Sequence, residues 1–151
     1  MITQNIIGYQ LSGLSGRSIY SFNPATQQNL EYGFVVATAE EVNLAMDKAL
    51  EAWRIFRNMP GHQKAKFLRA IADGVEALGD VLLKTITAET AYPEARIITE
   101  RNRTCAQLRM FAELTETENW REVTIDEALP DRMPSARPEL RRMMMPIGPV
   151  V

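Results

Sequence analysis

At Thr38 the spacing of apolar residues changes, and that change limits what the chain can fold into. Before it, over residues 6–37, short apolar runs around "IIGY", "SIYSF" and "LEYGFVVA" are punctuated by Ser12, Gly13, Gly16 and the stretch "NPAT". This is the pattern of short strands joined by tight turns. After it, Val42, Ala45, Met46, Ala49, Trp53 and Phe56 recur at helical spacing on one face, which a strand cannot satisfy. A chain of 151 residues with this switch is expected to be α/β.

Local chemistry marks the element ends. In "NPAT" the proline presets φ, while Asn23 and Thr26 can bond nearby backbone amides, so a turn is expected. Thr38 with Glu41 three residues on forms a capping box at the start of the first helix. Pro60 and Gly61 end that helix, and a second, from near His62, is expected to bury Leu68, Ile71, Ala72, Val75 and Leu78 before Gly79 interrupts. "DVLLKTITAET" supplies a third, and Pro93 opens a fourth through "EARIITERNRTCAQLRMFAEL", so the helical middle is placed at 38–118.

The fourth helix has two expected faces. Ile97, Ile98, Cys105, Leu108 and Phe111 fit an apolar side. Glu100, Arg103, Thr104 and Gln107 lie at i, i+3, i+4 and i+7 and make a continuous polar stripe. Arg109 lies off that stripe, and Glu113, one turn on, is its expected partner. After Trp120 the helical period is lost. "WREVTIDEA" and "ELRRMMM" alternate like strands around Pro130, Pro134 and Pro138, a hairpin with a long connection over residues 120–145. Leu140, Arg142 and Met144 are expected on one face and Arg141, Met143 and Met145 on the other.

Composition removes several classes of function. A net charge of -2 gives no clustered positive surface for nucleic acid or anionic lipid. Charged residues interrupt every apolar run before the roughly 20 residues a bilayer span needs. The start "MITQNIIGYQ" lacks a secretory pattern and the lone Cys105 cannot form an internal disulfide, so the cytoplasm is the expected compartment. His62, the single histidine, excludes a multi-histidine metal site and is expected to face solvent or cap a helix. Cys105, mid-helix on the apolar face, is expected to be a small buried thiol. "SGLSG" is too short for a phosphate loop, has no helix after it and is expected to be a hairpin turn.

From about Tyr20 to Val151, the order of "FNPAT", a capped helix ending "AW", "LRAIADGVEALGDVLLKTITAETAYPEARIITERNRTCAQLRMFA" and "ARPELRRMMMPIGPVV" resembles the N-terminal part of the NAD(P)-dependent aldehyde dehydrogenases. Within that family it is most similar to members acting on 2-oxoglutarate semialdehyde, also called 2,5-dioxovalerate. The resemblance implies that residues 1–119 are the N-terminal part of a cofactor-binding, Rossmann-like domain that is incomplete here. It implies further that 120–145 form a bridging hairpin used in homo-oligomers and that 146–151 begin a dinucleotide-binding strand cut short at Val151. In such enzymes a thiolate attacks the aldehyde, hydride leaves to NAD or NADP, and carboxylate-activated water hydrolyses the thioester.

The resemblance also implies that the catalytic cysteine and glutamate lie downstream, so this chain by itself carries no catalytic or cofactor-binding residue, binds no cofactor and is inactive. Isolated, it is expected to be marginal or self-associated, because the helices at 38–57 and 93–116 lose part of their cover. The helix similar to 93–116 lines one wall of the family's substrate tunnel, making Glu100, Arg103 and Gln107 the candidate residues there. Arg103 would take a substrate carboxylate; the competing reading is an ion pair of Arg103 with Glu100 on a solvated face. The competing reading of the whole chain is a non-catalytic oligomerisation or interaction module.

Overall fold

The computed structural model describes residues 2–150, and its elements follow the change of period at Thr38. Four strands come first: β1 (Asn5–Ile7), β2 (Gln10–Ser12), β3 (Ser18–Asn23) and β4 (Gln28–Val35). Four helices follow: α1 (Ala39–Phe56), α2 (Gly61–Ala77), α3 (Gly79–Thr90) and α4 (Glu94–Thr117). A single 3-10 turn at Asn119–Arg121 leads to β5 (Thr124–Asp126) and β6 (Leu140–Arg142). The strands pair antiparallel as β1–β2, β3–β4 and β5–β6, with no parallel pairing among the described residues.

Turn chemistry sets the two leading hairpins. Gly8 and Tyr9 both have positive φ, +54° and +71°, the geometry that a two-residue hairpin loop requires. In the β3–β4 turn Asn23 Oδ1 accepts from the N–H of Ala25 at 2.9 Å and of Thr26 at 3.2 Å. Thr26 thus contributes its backbone N–H there. "SGLSG" is not a hairpin turn, because β2 pairs with β1 and β3 with β4. It is the link between two hairpins, tied down by Ser15 Oγ donating to the Val36 carbonyl at 2.6 Å.

The capping box at α1 is complete. Thr38 Oγ1 accepts from the Glu41 N–H at 3.2 Å, and Glu41 Oε2 accepts from the Thr38 N–H at 2.8 Å. Glu41 is 1% exposed and its other oxygen accepts from the Ser12 hydroxyl, so the same carboxylate pins the β1–β2 hairpin to the helix start. The apolar face of α1 is, however, largely uncovered. Val42 is 53% exposed, and Met46 and Phe56 are exposed as well, because α1 contacts chiefly β1.

The core lies between α2 and α4, which run antiparallel in the largest interface of the fold. Its seam is built of small residues: Ala65 and Ala72 on α2 and Cys105 and Ala112 on α4, all 0% exposed. The two pairs have the same seven-residue spacing, so both line one stripe of their helix. Helices this close leave no room for large side chains on the axis of contact. Ile71, Leu78 and Phe111, expected in the core from periodicity, are instead exposed at its flanks. The tightest approach is at Gly61, where an added Cβ would stand 2.2 Å from the Thr115 carbonyl oxygen.

At the other end β5 and β6 pair with Thr124 opposite Arg142 and Asp126 opposite Leu140, extended by a bridge between Leu129 and Arg137. The hairpin expected over 120–145 is present with strands of three residues each. Residues 146–150 are coil without strand pairing among the described residues, and Val151 lies outside them. A strand needs a neighbour to pair with, and this segment pairs with none of the three hairpins among the described residues.

Candidate functional site

The polar stripe of α4 is solvated. Arg103 donates to Glu100 Oε2 from Nε at 3.0 Å and Nη2 at 2.8 Å, with both side chains about half exposed or more. Gln107 continues the exposed stripe, while Glu100 and Thr104 also line a depression beside it. The structure therefore joins Glu100 to Arg103 and leaves Gln107 further along the same face. An exposed ion pair is worth little, so Arg103 can exchange Glu100 for another carboxylate at small cost.

The depression lies between α2, α3 and α4, has a volume of about 360 Å³ and is walled by Val75 of α2, Leu82 and Ile86 of α3 and Ile97 of α4, with Glu100, Thr104 and Tyr92 also lining it. Arg101 lines it too. Sequence reasoning passed over Arg101, although there was a signal: it lies four residues after Ile97 and four before Cys105, a charge in the middle of the apolar stripe. The Arg101 Nε is buried without a hydrogen-bond partner among the described residues, and Arg101 Nη2 meets only Asn102 Oδ1 at 3.4 Å.

A charged cluster ties α4 to α2. Arg109 forks across to α2, donating to Glu76 at 2.7 and 2.8 Å and to Asp73 at 2.8 Å. Its partners are thus cross-helix, and Glu113 is not among them. The antiparallel packing brings Asp73 and Glu76 under the guanidinium, and a fork binds a carboxylate better than a same-helix contact allows. The Glu76 bond, then the Asp73 bond, push Arg109 above its usual range, while the Arg109 bond holds the Glu76 carboxyl below its own. At the α1–α2 elbow, Lys64 is 7% exposed and donates to the Arg57 carbonyl at 3.2 Å. Burial pushes its ammonium down, Arg121 adds to this, and Glu118 partly offsets it.

The residues expected to be inert chemically are so placed. Cys105 is fully buried, with its thiol 3.6 Å from the Ala72 carbonyl, and no aldehyde can reach it. His62 is exposed at the start of α2. The glycines of "SGLSG" lead into β3 and not into a helix, and a Cβ on Gly13 would pack on Gln4 and Val35 side chains at 3.5 Å, so this stretch supplies no helix N-terminus for a phosphate. Among the described residues no helix is long and apolar enough to cross a membrane.

Comparison with known proteins adds the family context. Residues 12–151 match the aldehyde dehydrogenase family. The chain is 37% identical to alpha-ketoglutaric semialdehyde dehydrogenase 2 of Azospirillum brasilense over 147 residues, covering 97% of this chain and 28% of that protein. It is 35% identical, with the same coverage, to the alpha-ketoglutaric semialdehyde dehydrogenase of Acinetobacter baylyi. Among solved structures it is similar to succinate-semialdehyde dehydrogenase from Burkholderia pseudomallei, with a TM-score of 0.71 at 28% identity, covering 85% of this chain and 26% of that one. The NAD-dependent benzaldehyde dehydrogenase of Corynebacterium glutamicum shares the fold, with a TM-score of 0.74 at 16% identity over 84% of this chain and 27% of its own. The chain thus spans just over a quarter of the length of these relatives.

Proposed function

Because the chain belongs to the aldehyde dehydrogenase family, we propose that it is part of an NAD(P)-dependent enzyme that oxidises an aldehyde to its acid, with 2-oxoglutarate semialdehyde as substrate. The observation that carries this reading is the identity of 37% and 35% to two proteins named for that activity, sustained along 97% of the chain. The bound nucleotide supplies the hydride acceptor, and its binding residues fall outside this chain. The nucleophilic thiol is supplied elsewhere as well, since Cys105 is sealed in the α2–α4 seam.

The role of this chain is to position and select. α4 is held at a fixed height by the Arg109 fork and by the seam of small residues. It presents Glu100, Arg103 and Gln107 on one face towards the substrate path. Arg103 releases Glu100 and takes the substrate carboxylate in a fork, which plain aldehydes cannot offer. The β5–β6 hairpin, with Met143, Met144 and Met145 exposed beside it, serves a contact between copies in a cytoplasmic homo-oligomer.

The test is Arg103→Gln in the complete enzyme, comparing 2-oxoglutarate semialdehyde with pentanal. A charge-assisted bond contributes about 1.5–3 kcal/mol, so kcat/KM for the acidic substrate should fall about 10- to 100-fold while pentanal is unchanged. Equal losses on both substrates, or none, would reject Arg103 as the carboxylate contact. Failure of the acidic aldehyde to be oxidised at all by the unaltered enzyme would reject the substrate.

A further inference from the structure

We infer that the depression between α2, α3 and α4 is a binding site for a small monocarboxylate with a short apolar chain, held by Arg101. The charges around Arg101 lead there. The carboxylates closest to it on α4 and α2 are already committed: Glu100 to Arg103 at 2.8 Å, and Glu76 and Asp73 to Arg109 at 2.7 and 2.8 Å. Arg101 keeps a 3.4 Å contact to a neutral amide and a buried Nε without an acceptor. A guanidinium cannot shed its proton, so its demand for an anion persists at every working pH.

The walls define the rest of the ligand. Val75, Leu82, Ile86 and Ile97 are aliphatic, and Tyr92 is braced from behind by Arg96, whose guanidinium lies 4.0 Å from its ring centroid. The Thr90 hydroxyl at the edge is already spent on the Ile86 carbonyl at 2.7 Å. About 360 Å³ is at the lower end of the range of small-molecule sites. Glu100 and Thr104 line the depression as well, and with Glu100 held by Arg103 the one charge left unpaired there, Arg101, suits one negative charge on an apolar tail. A phosphate or a dicarboxylate would bury a second charge against the aliphatic wall, and a neutral molecule would leave Arg101 without its anion.

Hexanoate is the probe, with hexanamide as its uncharged isostere, titrated by calorimetry into the complete protein. Saturable binding of about one hexanoate per chain is expected, with hexanamide at least about tenfold weaker. Arg101→Gln and the cavity-filling Leu82→Trp should each weaken hexanoate about tenfold or more, whereas Arg69→Gln, whose partner Glu116 lies outside the depression, should leave it unchanged. No saturable binding, equal binding of the amide, or undiminished hexanoate binding by Arg101→Gln would overturn the inference. Should Arg101→Gln fail to fold, Leu82→Trp decides the question alone. No turnover is measured, so the outcome stands apart from whether the enzyme oxidises 2-oxoglutarate semialdehyde.

Discussion

Gly61→Ala and Gly74→Ala place the same methyl group twice on α2, and the structure predicts opposite signs. At Gly61 the new Cβ would lie 2.2 Å from the Thr115 carbonyl oxygen and 3.0 Å from Glu118 Cγ. The blocking atom is backbone in the last turn of α4, so relief requires the helices to part by about 1 Å, a gap that forfeits a substantial share of the dispersion energy of the atoms facing it. The seam of Ala65, Ala72, Cys105 and Ala112 would open, and the Gly61 N–H would lose Glu118 Oε1, now at 3.1 Å. Overpacking costs about 1–3 kcal/mol and a bond to a charged group about 1.5–3 kcal/mol, partly overlapping, so a net loss of about 2–4 kcal/mol is expected. At Gly74 nothing lies within 4 Å, and alanine should stabilise the helix by about 0.5–1 kcal/mol. Urea titration followed by the fluorescence of Trp53 and Trp120 measures both. If Gly61→Ala is neutral, or both variants shift the same way, the close approach of α2 and α4 is wrong.

Glu41→Gln should lower stability at neutral pH. The Ser12 hydroxyl, then the Thr38 N–H, hold its carboxyl below the usual range near 4.5, so the advantage of wild type is full above that pH and fades as pH falls through the lower folded value. Thermal melts from pH 7 to pH 3 read this, and a gap that widens in acid would contradict the sign. Arg109→Lys should reduce the melting temperature, because a point charge cannot span Glu76 and Asp73 as the fork does; the deficit should shrink in 1 M salt. Cys105 should stay unreactive to a thiol reagent until the protein unfolds, and Cys105→Ala should cost about 1 kcal/mol without affecting turnover.

What the sequence showed and hid divides along physical lines. Local rules read well: the Thr38–Glu41 capping box, the Asn23 turn and the break at Pro60 and Gly61 are set by neighbours in the chain. Periodicity placed Ala72 and Cys105 correctly, because both lie on the axis of the α2–α4 contact. It misplaced Ile71, Leu78 and Phe111 because apolar character does not reveal how closely two helices approach, and here closeness favours alanine over leucine. Arg109's partners and the depression beside Arg101 are products of packing between α2, α3 and α4, which no single helix encodes. The apolar face of α1 is exposed at Val42, Met46 and Phe56, in line with the loss of cover expected at 38–57, but amphipathicity says only that a face wants a partner and does not say where the partner is.

The seam and the stripe occupy different sides of α4, and this separates two kinds of mutational freedom. Residues 100, 103 and 107 can vary without touching the seam with α2, so a randomised library there should fold almost as often as the parent. A library at 65, 72, 105 and 112 should return few folded clones, and those enriched in alanine, glycine, serine and cysteine. The solvated face of α4 can therefore drift while the seam that fixes the helix stays nearly frozen.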